Sequence, residues 1–211
     1  MLTVHHLNNS RSQRILWLLE ELGIEYQLKT YQRDPVTNLA PPELEQVHPL
    51  GKSPVLTDDD NTIIESGAII DYILRHYGDG RLQPETDTDG YEQYLQWLHY
   101  AEGSAMLPMM LKMYTARLGD AGAPLQPRIS DELQRHLGYI ENSLKGVDWL
   151  VGNSFSGADI QLSFVVEITP LLYSLDSLPN IAAYRQRLQK RPAYKAALKR
   201  GGFYAYGSDA A

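Results

Sequence analysis

Several short stretches of this chain carry side chains whose type and spacing could do chemistry. In "HHLNNSRSQRILWLLEELG", residues 5–23, Asn8, Asn9, Ser10 and Ser12 place four helix-capping residue types ahead of one apolar run. One helix needs one N-cap. "SRSQ" fits a capping box, with Ser10 at the cap and Gln13 reaching back, so the other polar residues ask for a second role.

In "HPLGKSPVL", residues 48–56, Pro54 stands at the entrance to a predicted strand, where proline is tolerated. The stretch reads either as a turn or as a cis proline. A cis bond would turn the Ser53 main chain outward, free to pair with an extended peptide. In "IIESGAII", residues 63–70, Ser66 reads as a helix N-cap. The same place could hold an α-amino-acid group, with helix N–H groups and the Ser66 hydroxyl on its carboxylate and Glu65 on its ammonium.

"FSGADI", residues 155–160, is a capping box in which Ser156 caps, Asp159 reaches back and Phe155 packs on Ile160; its role reads as structural. Met106, Met109, Met110 and Met113, with Tyr100 and Tyr114, form a soft apolar cluster, either core or a hydrophobic ligand pocket.

Several classes are set aside. With 19 basic and 26 acidic residues the net charge is -7, and no basic block is present. That argues against nucleic acid or an anionic membrane as partner. No cysteine occurs, which excludes disulfides, thiolate metal sites and a protein-borne thiol nucleophile. His5, His6, His48, His76, His99 and His136 show no metal-ligand spacing, so no metal is expected. The first ten residues lack the order of a signal peptide, and "IQLSFVVEITPLLYSL" is too short and too interrupted to span a bilayer. The chain reads as soluble.

The elements that position these residues follow from periodicity. The order over residues 1 to 78 is β-α-β-α-β-β-α, with "SPVLT" and "NTIIE" flanking an acidic turn as a hairpin. "GDGRLQPETDTDG" reads as the linker. Helical patterns then run from 88 to 200, beginning with a long stretch that Gly103 or Pro108 could bend. The expected fold is an α/β domain over 1–80 followed by an all-α domain over 88–211.

With these motifs in this order, the chain resembles the cytosolic glutathione S-transferases along nearly its whole length, and a bacterial or fungal, serine-type branch in particular. "HPLGKSPVL" resembles the family's cis-proline loop, "ESGAIIDYIL" its glutamate–serine pair, and "FSGADI" its helical-domain capping box. The family usually has valine where Ser53 stands. The resemblance implies a thioredoxin-like glutathione-binding domain, a cytoplasmic homodimer and a detoxifying role, with glutathione as co-substrate.

It implies that Lys52 binds the glycine carboxylate, that Ser53 and Pro54 present the backbone to the cysteinyl part, and that Glu65 and Ser66 hold the γ-glutamyl end. Ser10, four residues before Arg14, would activate the thiol, with Asn9 as the alternative. Met106, Met110 and Tyr114 would wall the hydrophobic substrate pocket. The implied reaction is attack of the glutathione thiolate on an electrophilic, largely apolar substrate. The alternatives are a glutathione-dependent disulfide or peroxide reductase, and a non-catalytic ligand-binding or protein-interaction member of the fold. The absence of cysteine excludes the cysteine-type branches.

Overall fold

The structure, a computed structural model, describes residues 1–207. By its contacts the chain divides into two units: Met1–Leu82 with Leu188 onward, and Gln83–Arg187.

The first unit is built on a four-stranded sheet of order β2-β1-β3-β4. Strand β1 (Leu2–Leu7) pairs in parallel with β2 (Gln27–Tyr31) and antiparallel with β3 (Val55–Asp58), which returns as β4 (Asn61–Ile64). Helix α1 (Ser12–Leu22) makes the parallel crossover from β1 to β2, and α2 (Ser66–Tyr77) follows β4. This is the expected β-α-β-α-β-β-α order, except that the second helical piece is a single 3-10 turn at Pro42–Leu44.

Every residue of α1 from Ser12 to Leu19 is buried, which one amphipathic face against a sheet cannot explain. A second layer covers its outer side: α8 (Pro192–Gly201) packs on α1. Trp17 meets Tyr194 edge to face with ring centroids 5.2 Å apart. Glu21 takes a bidentate pair from Arg191 (2.6 and 2.8 Å) and the Trp17 indole N–H (2.8 Å). The approach is close enough that a Cβ at Gly201 would lie 2.8 Å from Leu16 Cδ1. The sequence-based division grouped α8 with residues 88–211; its packing joins it to the sheet-bearing unit.

The second unit is helical. Helices α3 (Asp89–Tyr100) and α4 (Met106–Thr115) are joined by one π turn at Ala101–Ala105, so the bend expected from Gly103 is an inserted residue in the helical ladder. A 3-10 segment, Ala116–Leu125, leads to α5 (Gln126–Ser143). Helix α6 (Gly157–Leu172) is buried on all sides from Gly157 to Thr169. It is the axis around which this unit's core forms, and its apolar run is therefore continuous rather than periodic. Helix α7 (Pro179–Gln189) follows. Among the described residues no helix is long and apolar enough to cross a membrane.

Candidate functional site

The polar cluster after β1 is tied down residue by residue. Asn8 Oδ1 accepts the Arg33 main-chain N–H (2.8 Å), and the Arg33 guanidinium donates to the carbonyls of Asn8 (3.1 Å) and Asn9 (3.4 Å). Asn9 sits at φ 51°, a left-handed conformation that asparagine tolerates. Its Oδ1 accepts the N–H of Ala205 (2.8 Å), leaving the Nδ2 amide as the donor it can offer. The two asparagines thus shape the turn, one holding it to the segment after β2 and the other to the C-terminal segment.

Ser10 does not form the expected capping box. The structure puts Arg11 at the N-cap of α1 with no side-chain cap bond. Gln13 is buried in the helix, and among the described residues neither atom of its amide finds a partner. The Ser10 hydroxyl accepts the Ser12 N–H (3.2 Å) and lies 2.8 Å from the Ser12 hydroxyl. Ser12 Oγ is 2.8 Å from His6 Nδ1 and 3.3 Å from the Leu7 carbonyl. Burial of His6 pushes its imidazole down to about 4, so the ring is neutral near pH 7.

The Ser53–Pro54 bond is cis. The turn before it closes at Gly51, whose φ of 56° favours glycine. Ser53 does something the resemblance did not foresee. Its hydroxyl accepts the Leu7 N–H (3.2 Å) and donates to the His5 carbonyl (2.9 Å), standing in for a strand residue beside β1. Valine could not do this. Lys52 is exposed and Pro54 buried.

Ser66 is not the N-cap of α2; that position is Glu65, at φ 67° and ψ 117°, again with no side-chain cap bond. The first intrahelical bond runs from the Ile69 N–H to the Glu65 carbonyl (2.9 Å), so the N–H groups of Ser66, Gly67 and Ala68 have no intrahelical partner. The Ser66 hydroxyl is turned inward to accept from Arg14 Nη1 (3.1 Å), which explains why it does not cap. Glu65 is exposed beside these open N–H groups. Its positive φ costs on the order of 1–3 kcal/mol. Two bonds therefore gather three separated motifs: Leu7 to Ser53 joins the β1 turn to the cis-proline loop, and Arg14 to Ser66 joins α1 to α2.

In the second unit Met106 is 2 % exposed and belongs to the core, while Met110 is half-buried and Tyr114 is 55 % exposed on α4. Met106 cannot itself face an open pocket. The FSGADI box forms, and Phe155 lies edge to face with Trp149 at 5.0 Å. Asp159 is fully buried and takes four bonds, from the Ser156 N–H (2.8 Å) and hydroxyl (3.1 Å), the Leu150 N–H (3.1 Å) and the Tyr184 hydroxyl (2.7 Å). Burial raises its carboxyl and, more strongly, the Tyr184 phenol. Among the described residues no group of three or more His, Asp or Glu side chains could hold a metal ion.

Residues 1–75 match the family described as "Glutathione S-transferase, N-terminal domain", and residues 103–192 match "Glutathione S-transferase, C-terminal domain". The chain is 34 % identical to Glutathione S-transferase 3 of Schizosaccharomyces pombe, over 95 % of this chain and 88 % of that one. It is 31 % identical to Glutathione S-transferase 1 of Saccharomyces cerevisiae, over 93 % of each. Among solved structures it is similar to a glutathione S-transferase from Actinobacillus pleuropneumoniae, with a TM-score of 0.88 and 36 % identity, over 95 % of this chain and 93 % of that one.

Proposed function

The chain belongs to the glutathione S-transferase family and is a glutathione transferase; from that premise we propose how its own residues serve the reaction. The γ-glutamyl end of glutathione is an α-amino acid, and the start of α2 suits it. The three N–H groups without intrahelical partners receive the carboxylate and Glu65 receives the ammonium. This pairing of an uncapped helix N-terminus with a neighbouring exposed carboxylate is the observation that carries the assignment. The Ser53 main chain meets the cysteinyl part beside the cis bond, and Lys52 takes the glycine carboxylate.

The sulfur is then presented to the β1–α1 turn. A free thiol has a pKa near ~8.5, so only a few per cent is thiolate near pH 7. Lowering it by about two units needs roughly 2.7 kcal/mol. A hydroxyl bond to the anion contributes about 1.5–3 kcal/mol and the α1 N-terminus about 0.3–1. Ser10 is the residue we assign to that bond, and the balance closes without a second donor. The thiolate attacks the electrophilic carbon of a largely apolar substrate. A C–S bond forms, and the displaced group, where there is one, leaves with its electron pair. Within the helical unit, Met110 and Tyr114 of α4 are the partly exposed apolar side chains of the expected pocket, and Met106 is core.

We place the protein in the cytoplasm, where a cysteine-free chain and reduced glutathione both fit, and as a homodimer with α3 and α4 available for a two-fold seam. A monomer mass in sedimentation at micromolar concentration would remove the latter.

The test of Ser10 is a pH titration of bound glutathione, followed by thiolate ultraviolet absorbance. Ser10→Ala should raise the thiol pKa by about one unit or more and lower turnover about tenfold, with little change in affinity. If that titration overlays wild type while Asn9→Ala shifts it, the role belongs to Asn9.

A further inference from the structure

The Ser10 hydroxyl has a neighbour that the transferase reaction does not obviously need. Ser12 is fully buried, so it cannot touch a substrate, yet its hydroxyl lies at the centre of a small network. Three groups surround its single proton: Ser10 Oγ at 2.8 Å, His6 Nδ1 at 2.8 Å and the Leu7 carbonyl at 3.3 Å. A carbonyl only accepts. With the proton of the neutral His6 ring assigned to Nε2, Nδ1 also only accepts. Nε2 is on the Gly201 side, 3.3 Å from where that residue's Cβ would stand, and the Gly201 backbone favours a proton on the ring. The ring is neutral, so Nδ1 carries no proton of its own.

With the Ser12 proton given to either of these two acceptors, which have no other donor among the described residues, the Ser12 oxygen turns only lone pairs toward Ser10. The 2.8 Å gap between the two hydroxyls is then filled by the Ser10 proton. We infer that Ser12, held by His6 and the Leu7 carbonyl, is a positioning residue that parks the Ser10 proton inward, so that Ser10 swings out to donate only when the sulfur before it is an anion. A neutral thiol or thioether is a weak acceptor and does not compete with a serine oxygen. A thiolate does, because charge-assisted bonds are roughly twice as strong as neutral ones. When the C–S bond forms, the sulfur loses its charge and the proton returns to Ser12. The hydroxyl that stabilises the nucleophile thus lets go of the thioether product.

The inference rests on the assignment of Ser10 as the thiolate donor, and its sign separates it from a supporting role. Removing the competing acceptor frees the Ser10 proton for the sulfur. The Ser12→Ala variant, loaded with glutathione, should show a thiol pKa lower than wild type by about half a unit to one unit, the equivalent of one neutral hydrogen bond. Ser12→Thr, which keeps the hydroxyl, should titrate as wild type. In the Ser10→Ala/Ser12→Ala double variant the Ser12 change should add no shift to that of Ser10→Ala. A pKa that rises or stays put in a folded Ser12→Ala protein overturns the inference while leaving Ser10 in place. A Ser10→Ala titration that overlays wild type overturns the reading beneath it instead. A measurement on the unaltered protein needs no variant: the Ser10 hydroxyl proton should shift in NMR on adding glutathione above its thiol pKa and stay unmoved with S-methylglutathione. An equal shift with both ligands also refutes the parked proton.

Discussion

Acidification should destabilise this protein through His6, by an amount that can be worked out. Burial holds the imidazole at about 4 in the fold, against an ordinary value of 6.5. Below about pH 6.5 the unfolded chain takes up a proton that the folded chain refuses until about pH 4. Stability is therefore complete above the unfolded value and is lost as the pH falls between the two. With 1.36 kcal/mol per unit, the loss from this one residue is about 2 kcal/mol near pH 5 and about 3 kcal/mol near pH 4. The perturbation that isolates it is His6→Asn, whose Oδ1 can still accept from Ser12 but does not titrate. Urea unfolding would be followed for both proteins across that range, since carboxylates and His5 titrate alike in the two. The wild-type curve should fall more steeply, and the two should run parallel above about pH 6.5. Curves that stay parallel down to pH 4 would refute the reasoning, because the folded ring would then be taking up its proton at an ordinary pKa.

Other outcomes follow from single contacts. Glu65→Gln and Lys52→Ala each remove a charge-assisted bond worth about 1.5–3 kcal/mol, so calorimetry should show glutathione affinity reduced at least tenfold in each. Unaltered affinity in both would reject this placement of the ligand. Asp159→Ala strips the acceptor from four donors, two of them main-chain, and should lower unfolding free energy by about 2–5 kcal/mol. Turnover per folded molecule should hold; a collapse of turnover at unchanged stability would make Asp159 functional. Gly201→Ala drives a methyl against Leu16 and Gln13 and should cost about 1–3 kcal/mol, read as a lower urea midpoint.

Which features could be read from the sequence depended on how far apart the interacting residues lie. The FSGADI box spans four positions and formed as expected; the Tyr184 hydroxyl on the same carboxylate, 25 residues away, left no local sign. The acidic hairpin was legible for the same reason, whereas the residues around Pro54 left a turn and a cis proline open and only the resemblance pointed to the cis bond. Ser10 and Ser66 were each expected to cap a helix by local pattern; the Ser66 hydroxyl is drawn away by Arg14 from outside its pattern, and the Ser10 hydroxyl bonds Ser12, which His6 of β1 holds from the other side, in place of a box with Gln13. Asn9 could not be assigned from sequence because its partner, Ala205, lies 196 residues on. The π turn escaped because a single inserted residue changes no composition.

The return of α8 to α1 bears on how the protein comes into being. The first 82 residues leave the ribosome with the sheet, the cis-proline loop and α2 complete, but with the outer side of α1 uncovered and Asn9 lacking the Ala205 N–H. Trp17 and the buried face around it must wait for more than a hundred residues of the other unit to be made before Tyr194 and Arg191 arrive. A ribosome-bound chain at that length exposes an apolar helix face to chaperones, and an isolated 1–82 fragment would carry the same bare face permanently. The sheet-bearing unit is thus encoded in two stretches on either side of the helical unit and is finished only when α8 is translated.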